Sequence, residues 1–449
     1  MSKEEVARTT SQGADAGLAR ASWYTAAVLC LTNVVAFVDR TTLPLLVQQI
    51  EADLRISDTQ MSLLVGLAFI IAYSSAGLVA GALVDRFSRR ALLATGVCVW
   101  AAATVASGFV GSFAGLFAAR LLVGAGESIT GPSAMSIARD RYPPEQRSRA
   151  IAIWAMGANL GGGVALLTGG AVLRLVGDGP SVVLPLLGEI RSWQLVLICA
   201  GLLALPAALI VLTLREPARV RAAVAAGPRM GAWAAFATNW PVFLVLFVVN
   251  GTTIMLTTGF QIWMPAVLQR VWHVSRPEIG LKLGLIALLL GPLSQFLAGA
   301  AMDRWGKGAG IRRLCVIGLL VSLAALPLSF LAPVASSVDL LWLLAAGFVL
   351  IATAMFTVGT VAITRMAPAG SVGQVTSFHF AWVGIAGTAI APTLVATVSD
   401  RVFAGPGAIA NALSATNLGL NTVATLGFAS LVALTGRQAV AGLRAAPAR

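Results

Sequence analysis

The sequence predicts an all-α polytopic membrane protein, with twelve transmembrane helices arranged as two six-helix pseudo-repeats. Three observations carry this. The 449 residues are 58% hydrophobic and only 11% charged, where a soluble chain would carry about 25% charged residues; the mean hydropathy is +0.86. About twelve apolar runs are separated by short polar breaks, and each is long enough to cross a bilayer. The motif G81-A-L-V-D85-R86 returns as G299-A-A-M-D303-R304, 218 residues later and close to half the chain. The alternating segments of about ten residues that mark a membrane β-barrel are absent.

In chain order the predicted spans are 23–46, 59–84, 91–110, 113–137, 148–175 and 193–214. The second half gives 241–268, 279–302, 312–332, 338–364, 373–398 and 410–436. This divides the chain into a tail (1–22), a first bundle (23–214), a linker (215–240), a second bundle (241–436) and a tail (437–449). The linker is the longest even-numbered break and is built from basic residues, Ala, Gly and Pro. The start, M1-S-K-E-E-V-A-R, has acids and no apolar core, unlike a signal peptide.

The formal net charge is +13, and its placement is a topology signal. The even-numbered breaks and the two tails hold 22 of the 31 Lys and Arg residues, and the odd-numbered breaks hold seven. Basic loops stay cytoplasmic, so both termini are expected in the cytoplasm, and the excess does not point to nucleic acid. Cys30, Cys98, Cys199 and Cys315 all fall in apolar spans without metal-ligand spacing and read as packing residues. Two histidines cannot form H-E-x-x-H, and G-x-S-x-G is absent. No enzyme activity, metal or cofactor is expected.

The duplicated motif closes spans 2 and 8 at their cytoplasmic ends. A solvated basic loop explains the arginines but not why Gly stands four residues before Asp in both copies. Such a glycine lets another helix approach closely. Gly81, Asp85, Arg86, Arg89, Arg90, Gly299, Asp303 and Arg304 are therefore assigned to a cytoplasmic gate of a parallel six-plus-six repeat.

G81-x-x-x-D85-R-x-x-R89-R90 resembles the signature loop of the major facilitator superfamily, and R120-L-L-V-G124-A-G126 resembles that superfamily's motif in span 4. Essentially the whole chain is covered. V38-D39-R40, G126-E127-S128, D140-R-Y-P-P-E-Q-R-S-R149, P185-L-L-G-E-I-R-S-W-Q194 and R215-E-P217 resemble the spinster-like branch, which is associated with lysolipids and sphingoid lipids. Asp-Arg in span 1 and Gly-Glu-Ser in span 4 also look like the anion:cation symporter branch, which carries sugar acids and aromatic acids. Ser128 departs from the alanine common in spinster-like proteins. Span 5 reads G157-A-N-L-G161-G-G163 without the proline of drug antiporters.

Of the 18 acids, only Asp39 and Glu127 lie well inside spans. Ionisable groups there are costly and face a partner or a cavity. Asp39 is 14 residues past Thr25, or ~21 Å along a helix. Span 4 runs the other way, and Arg120 is seven residues past Phe113, ~10 Å deep. The two then lie at similar depth in a core of about 30 Å and are expected to pair. Arg40 is turned about 100° from Asp39 and is read as free to bind an anionic group. Glu127, two turns past Arg120, is the spare carboxylate for proton exchange. Burial disfavours a charged carboxylate and nearby arginines favour it. The spinster resemblance also implies proton-coupling acids at 39 and 127 and a substrate contact at Arg40.

The second half has no acid well inside a span. Asn250, Thr253, Thr257 and Gln261 share one face of span 7; Thr353, Thr357, Thr360 and Thr364 share one face of span 10. Membrane threonines often bond their own backbone, yet two aligned stripes on equivalent helices suggest a substrate-cavity lining. His379 in span 11 is a further candidate, and Trp154, Asn159, Trp263 and Trp382 are weaker ones. Spans 3, 6, 9 and 12 are nearly free of charge and read as lipid-facing supports.

The expected function is secondary active transport by alternating access, proton-coupled, of an amphipathic or organic anionic solute. The alternative is a proton symporter of sugar, aromatic or carboxylic acids. A membrane receptor is a remote third reading, because it would carry a long soluble extension. The expected partners are the lipid bilayer, a small-molecule or lipid-like substrate and protons. The expected state is a monomer in a bacterial inner membrane.

Overall fold

The structure, a computed structural model, describes residues 3–142, 144–176, 181–184, 188–217, 239–306, 311–366 and 372–445. Most of the linker and Lys307 lie outside them. Twelve helices among the described residues are long and apolar enough to cross a membrane, as the hydropathy pattern predicts. The chain forms two compact units. One comprises Met1–Leu43 and Ile71–Ala223, the other Pro44–Ile70 and Val224–Arg449.

In the first unit, span 1 is the end of a longer helix, Lys3–Leu45. Span 3 (Arg89–Ser107) begins at Ser88, whose hydroxyl accepts the Ala91 N–H. Span 4 begins at Ser112, whose hydroxyl accepts the Gly115 N–H. Each cap satisfies a donor that the first turn leaves without a partner. Span 4 runs as Phe113–Glu127 and resumes as Thr130–Arg141. Span 5 lies in Pro144–Val176, and span 6 is Ser192–Leu212.

The first unit also holds a two-stranded antiparallel hairpin, β1 (Ser181–Leu184) with β2 (Gly188–Arg191). The all-helical expectation missed it, because four-residue strands leave no readable alternation. Gly188, the first residue of β2, stands at φ 73°, a conformation that glycine adopts without steric cost.

Small residues set the helix spacing. A Cβ on Gly126 would lie 2.8 Å from the Trp100 nitrogen, so spans 3 and 4 meet backbone to backbone. A Cβ on Gly161 would lie 2.3 Å from the Val34 carbonyl oxygen, and one on Gly157 2.6 Å from that of Cys30. The glycines of span 5 thus seat it on span 1. The gate glycines behave otherwise. No described atom lies within 4 Å of a Cβ position at Gly81 or Gly299. The close helix approach read from them is corrected: among the described residues, both positions face open space.

In the second unit, the short helix Val47–Leu54 ends at Arg55 in the left-handed region, φ 52°. Ser57 then caps the next helix, with Gln60 returning the bond. Span 2 contains a π turn, Leu63–Leu67, and span 11 contains another, Ala386–Ile390. They meet at Gly66, where a Cβ would lie 2.0 Å from the Thr388 carbonyl oxygen. Span 7 is Trp240–Arg270, span 8 lies in Arg276–Gly306, and span 9 in Ile311–Leu331. Span 10 is Val338–Met366, span 11 ends as Ala391–Val402, and span 12 lies in Ala408–Ala445.

Candidate functional site

In the first unit, Asp39 Oδ2 accepts from Arg120 Nη1 at 2.8 Å, with both side chains buried. This is the pair that the depth argument expects. The other oxygen, Oδ1, accepts from the Thr104 hydroxyl at 2.5 Å. Thr104 is on span 3, so that span is not merely a lipid-facing support. The threonine carries no charge, and nothing in the sequence singles it out. Thr104→Val removes the donor and should cost on the order of 1.5–3 kcal/mol of stability, while Thr104→Ser should retain most of it. Thermal melting in detergent checks this. A Thr104→Val variant that melts with the wild type would deny the hydroxyl a stabilising role.

Arg40 and Glu127 form a second pair. Glu127 Oε2 lies 2.5 Å from Arg40 Nη2 and 2.7 Å from its Nε. This corrects the reading of a free Arg40 and a spare Glu127. The long guanidinium arm spans the depth difference between spans 1 and 4. The two partners differ in access: the Arg40 side chain is 27% exposed and that of Glu127 is 0%. The Arg40 guanidinium also sits 5.0 Å from the Phe37 ring centroid and 5.2 Å from that of Tyr73, within cation–π range. Glu127 Oε1 is buried without a hydrogen-bond partner among the described residues.

In the second unit, Asn250, Thr360 and His379 come together from spans 7, 10 and 11. The Thr360 hydroxyl is 3.3 Å from His379 Nε2 and 3.5 Å from Asn250 Oδ1. The rings of Phe247, Phe356 and Phe380 surround the histidine at centroid distances of 6.0, 6.2 and 5.2 Å. The rest of the two stripes is satisfied locally. Thr253, Thr257, Thr353, Thr357 and Thr364 donate to carbonyls of their own helices, and Gln261 is exposed. Trp263 is fully buried and donates to the Pro392 carbonyl, which corrects its reading as a cavity residue. Trp382 packs on Gly251 and donates to the Phe247 carbonyl.

At the span 2–span 3 turn, Arg86 is exposed, as is Arg304 in the second copy, and the side chains of Asp85 and Asp303 lie outside the described residues. Arg89 is not a solvated loop residue. It is 1% exposed and donates Nε to Glu216 Oε1 at 2.8 Å. Its other nitrogens contact Asp140 and the Pro217 carbonyl. Glu216 also accepts from the Ser88 hydroxyl and from the backbone N–H groups of Arg89 and Arg90. Burial pushes the Glu216 carboxyl up, but these hydrogen bonds outweigh it and hold it down at about 2.

Twelve apolar helices, paired charges within spans 1 and 4, and a basic turn folded onto acids match a known pattern. Residues 28–392 match the Major Facilitator Superfamily. The chain belongs to the major facilitator superfamily. Spinster proteins are among its relatives. It is 25% identical to protein spinster of Drosophila melanogaster over 324 residues, 68% of this chain and 50% of the fly protein. The match therefore spans half the length of that relative. It is 28% identical to an MFS-type efflux pump of Mycolicibacterium smegmatis over 318 residues, 70% of each chain. A bacterial homolog of the human lysosomal transporter spinster has the same fold, with a TM-score of 0.78 and 23% identity over 93% of this chain and 97% of that one. In this chain, two stretches that carry the spinster resemblance, at Asp140 and at R215-E-P217, supply the groups that bury Arg89.

Proposed function

We propose that this transporter couples protons to the movement of an amphipathic or organic anionic solute by alternating access. The Arg40–Glu127 pair carries the reading, because Arg40 is the accessible partner and Glu127 the buried one. An anion arriving at Arg40 competes with Glu127 for the guanidinium. Glu127, left charged in a buried place, is costly and takes up a proton. Anion and proton then favour each other's binding. Asp39 stays neutralised by Arg120 throughout. The Phe37 and Tyr73 rings beside Arg40 suit an apolar chain attached to an anionic headgroup. They favour the lysolipid or sphingoid class that the spinster resemblance implies, over sugar or aromatic acids.

On the basic-loop rule, both termini lie in the cytoplasm of a bacterial cell whose inner membrane holds the protein as a monomer. The moving bodies are the bundles 23–214 and 241–436. Gly81, Asp85, Arg86, Arg89 and Arg90 would work with Gly299, Asp303 and Arg304 as the cytoplasmic gate. Asn250, Thr360 and His379 would meet the solute from the second bundle, with Thr253, Thr257, Gln261, Thr353 and Thr357 along the same two helices.

The test is uptake into proteoliposomes of lysolipids, aromatic acids and sugar acids. The apparent affinity for an anionic solute should rise as pH falls. Arg40→Ala should raise its apparent KM about ten- to a hundredfold, the cost of a charge-assisted bond, with less effect on a neutral analogue. Equal loss for both would make Arg40 structural. Saturable binding without movement across the membrane would favour the receptor reading.

A further inference from the structure

We infer that Glu51, Asp58 and Arg270 form a latch on the non-cytoplasmic side, and that a proton on Glu51 holds it shut. The inference rests on the alternating-access reading above. Residues 44–70 come from the first half of the sequence but pack within the second unit. Arg270, at the end of span 7, grips Asp58 through Nη2 at 2.7 Å and Nη1 at 3.1 Å, and the same Nη2 contacts Glu51. The Ser399 hydroxyl donates to Asp58 at 3.0 Å. Thr59 donates its N–H and its hydroxyl to Asp400, at 2.9 and 2.6 Å. Span 11 therefore joins the same cluster. Glu51, Asp58, Arg270, Ser399 and Asp400 line a pocket of about 430 Å³ with Phe403 and Gly405. In a cycle that opens this side, the segment carrying Glu51 and Asp58 must leave Arg270.

At the Arg270 guanidinium itself the charges do not balance. Two carboxylates share one guanidinium, and Asp400 adds a third acid across the pocket. Protonating Glu51 leaves one Asp58–Arg270 pair. The other charged groups nearby are Asp53 and Arg55 on the Glu51 segment, Arg276 against Gln49, and Arg401 beside Asp400. His273 stands exposed in the turn three residues past Arg270. Burial pushes the Glu51 carboxyl up to about 8, with Arg270 opposing and the Asp58 charge adding to it. Freed from the latch, Glu51 returns towards the usual carboxylate value, about 4.3. Protons therefore bind the latched form more tightly. Latching strengthens as pH falls from about 8 towards about 4.3 and weakens as pH rises through that window.

The test places spin labels at Ala52→Cys and Val402→Cys, both exposed, with the four native cysteines replaced by serine. Distances are measured by pulsed electron resonance in the full-length protein. The short-distance population should fall about tenfold, relative to the long one, from pH 7 to pH 9. Glu51→Gln keeps size and fold and should stay latched at pH 9. Arg270→Ala should favour the long distance at every pH. Two populations whose pH response survives in Glu51→Gln would overturn the latch alone. A single distance in every variant and at every pH would overturn the transporter reading, and the latch with it.

Discussion

Glu127→Gln is expected to abolish accumulation driven by a pH gradient while leaving solute-for-solute exchange intact. The glutamine mimics the protonated acid permanently, so no proton is taken up when an anion claims Arg40. Arg40, relieved of its ionic competitor, should bind an anionic solute at least as tightly as in the wild type, and with less dependence on pH. Gradient-driven uptake measured beside counterflow in proteoliposomes separates the two activities. If the variant still accumulates solute under ΔpH alone, Glu127 is not the coupling group, and Asp39 or His379 takes its place as the candidate.

Arg89→Ala should be the most destabilising change in the first unit, costing about 3–5 kcal/mol. That is the penalty for breaking a buried ion pair and stranding its partners. It would leave Asp140 without its buried cation and Glu216 without its Nε donor. Arg86→Ala, at an exposed position three residues earlier, should stay within about 0.5 kcal/mol. Thermal melting compares the two, and similar melting temperatures would deny Arg89 a structural role. The same network predicts acid sensitivity. Glu216 is held down at about 2, so its contribution is fully present above the usual carboxylate value of about 4.3. It is lost as pH falls from there towards about 2.

The contrast between Asp39 and Arg40 shows how far the sequence could be read. Counting rise along two antiparallel helices was enough to bring Asp39 to Arg120, because both depths follow from helix geometry. The same counting places Glu127 about 10 Å from Arg120 along span 4 and gives no bearing on a flexible arginine in the neighbouring span. Only the packed structure shows the arm reaching Glu127. Thr104 was invisible for another reason: a hydroxyl in an apolar run carries no charge signal. The threonine stripes were periodic as read, yet periodicity cannot distinguish a hydroxyl facing a cavity from one bonded to its own backbone. Glu51, Asp58, Arg270, Asp140 and Glu216 stand in polar breaks or at span ends, where sequence alone does not separate a paired charge from a solvated one. Their pairing arises where elements distant in sequence converge, which no local pattern encodes. The Gly-x-x-x-Asp-Arg repeat marks the ends of spans 2 and 8, although among the described residues no neighbour packs on its glycines.

The two π turns bear on how this chain is compared with others. Each turn accommodates one more residue than an α-helix would use for the same contact, and so rotates everything beyond it by about 100°. In span 11, His379 lies before such a turn and Ser399 and Asp400 after it. No single helical wheel phases them together. A relative that lacks the extra residue needs a one-position gap between 386 and 390, and another between 63 and 67 in span 2. An alignment that refuses those gaps will pair pore-facing residues of one protein with lipid-facing residues of the other, and carry a substrate preference to the wrong side chains.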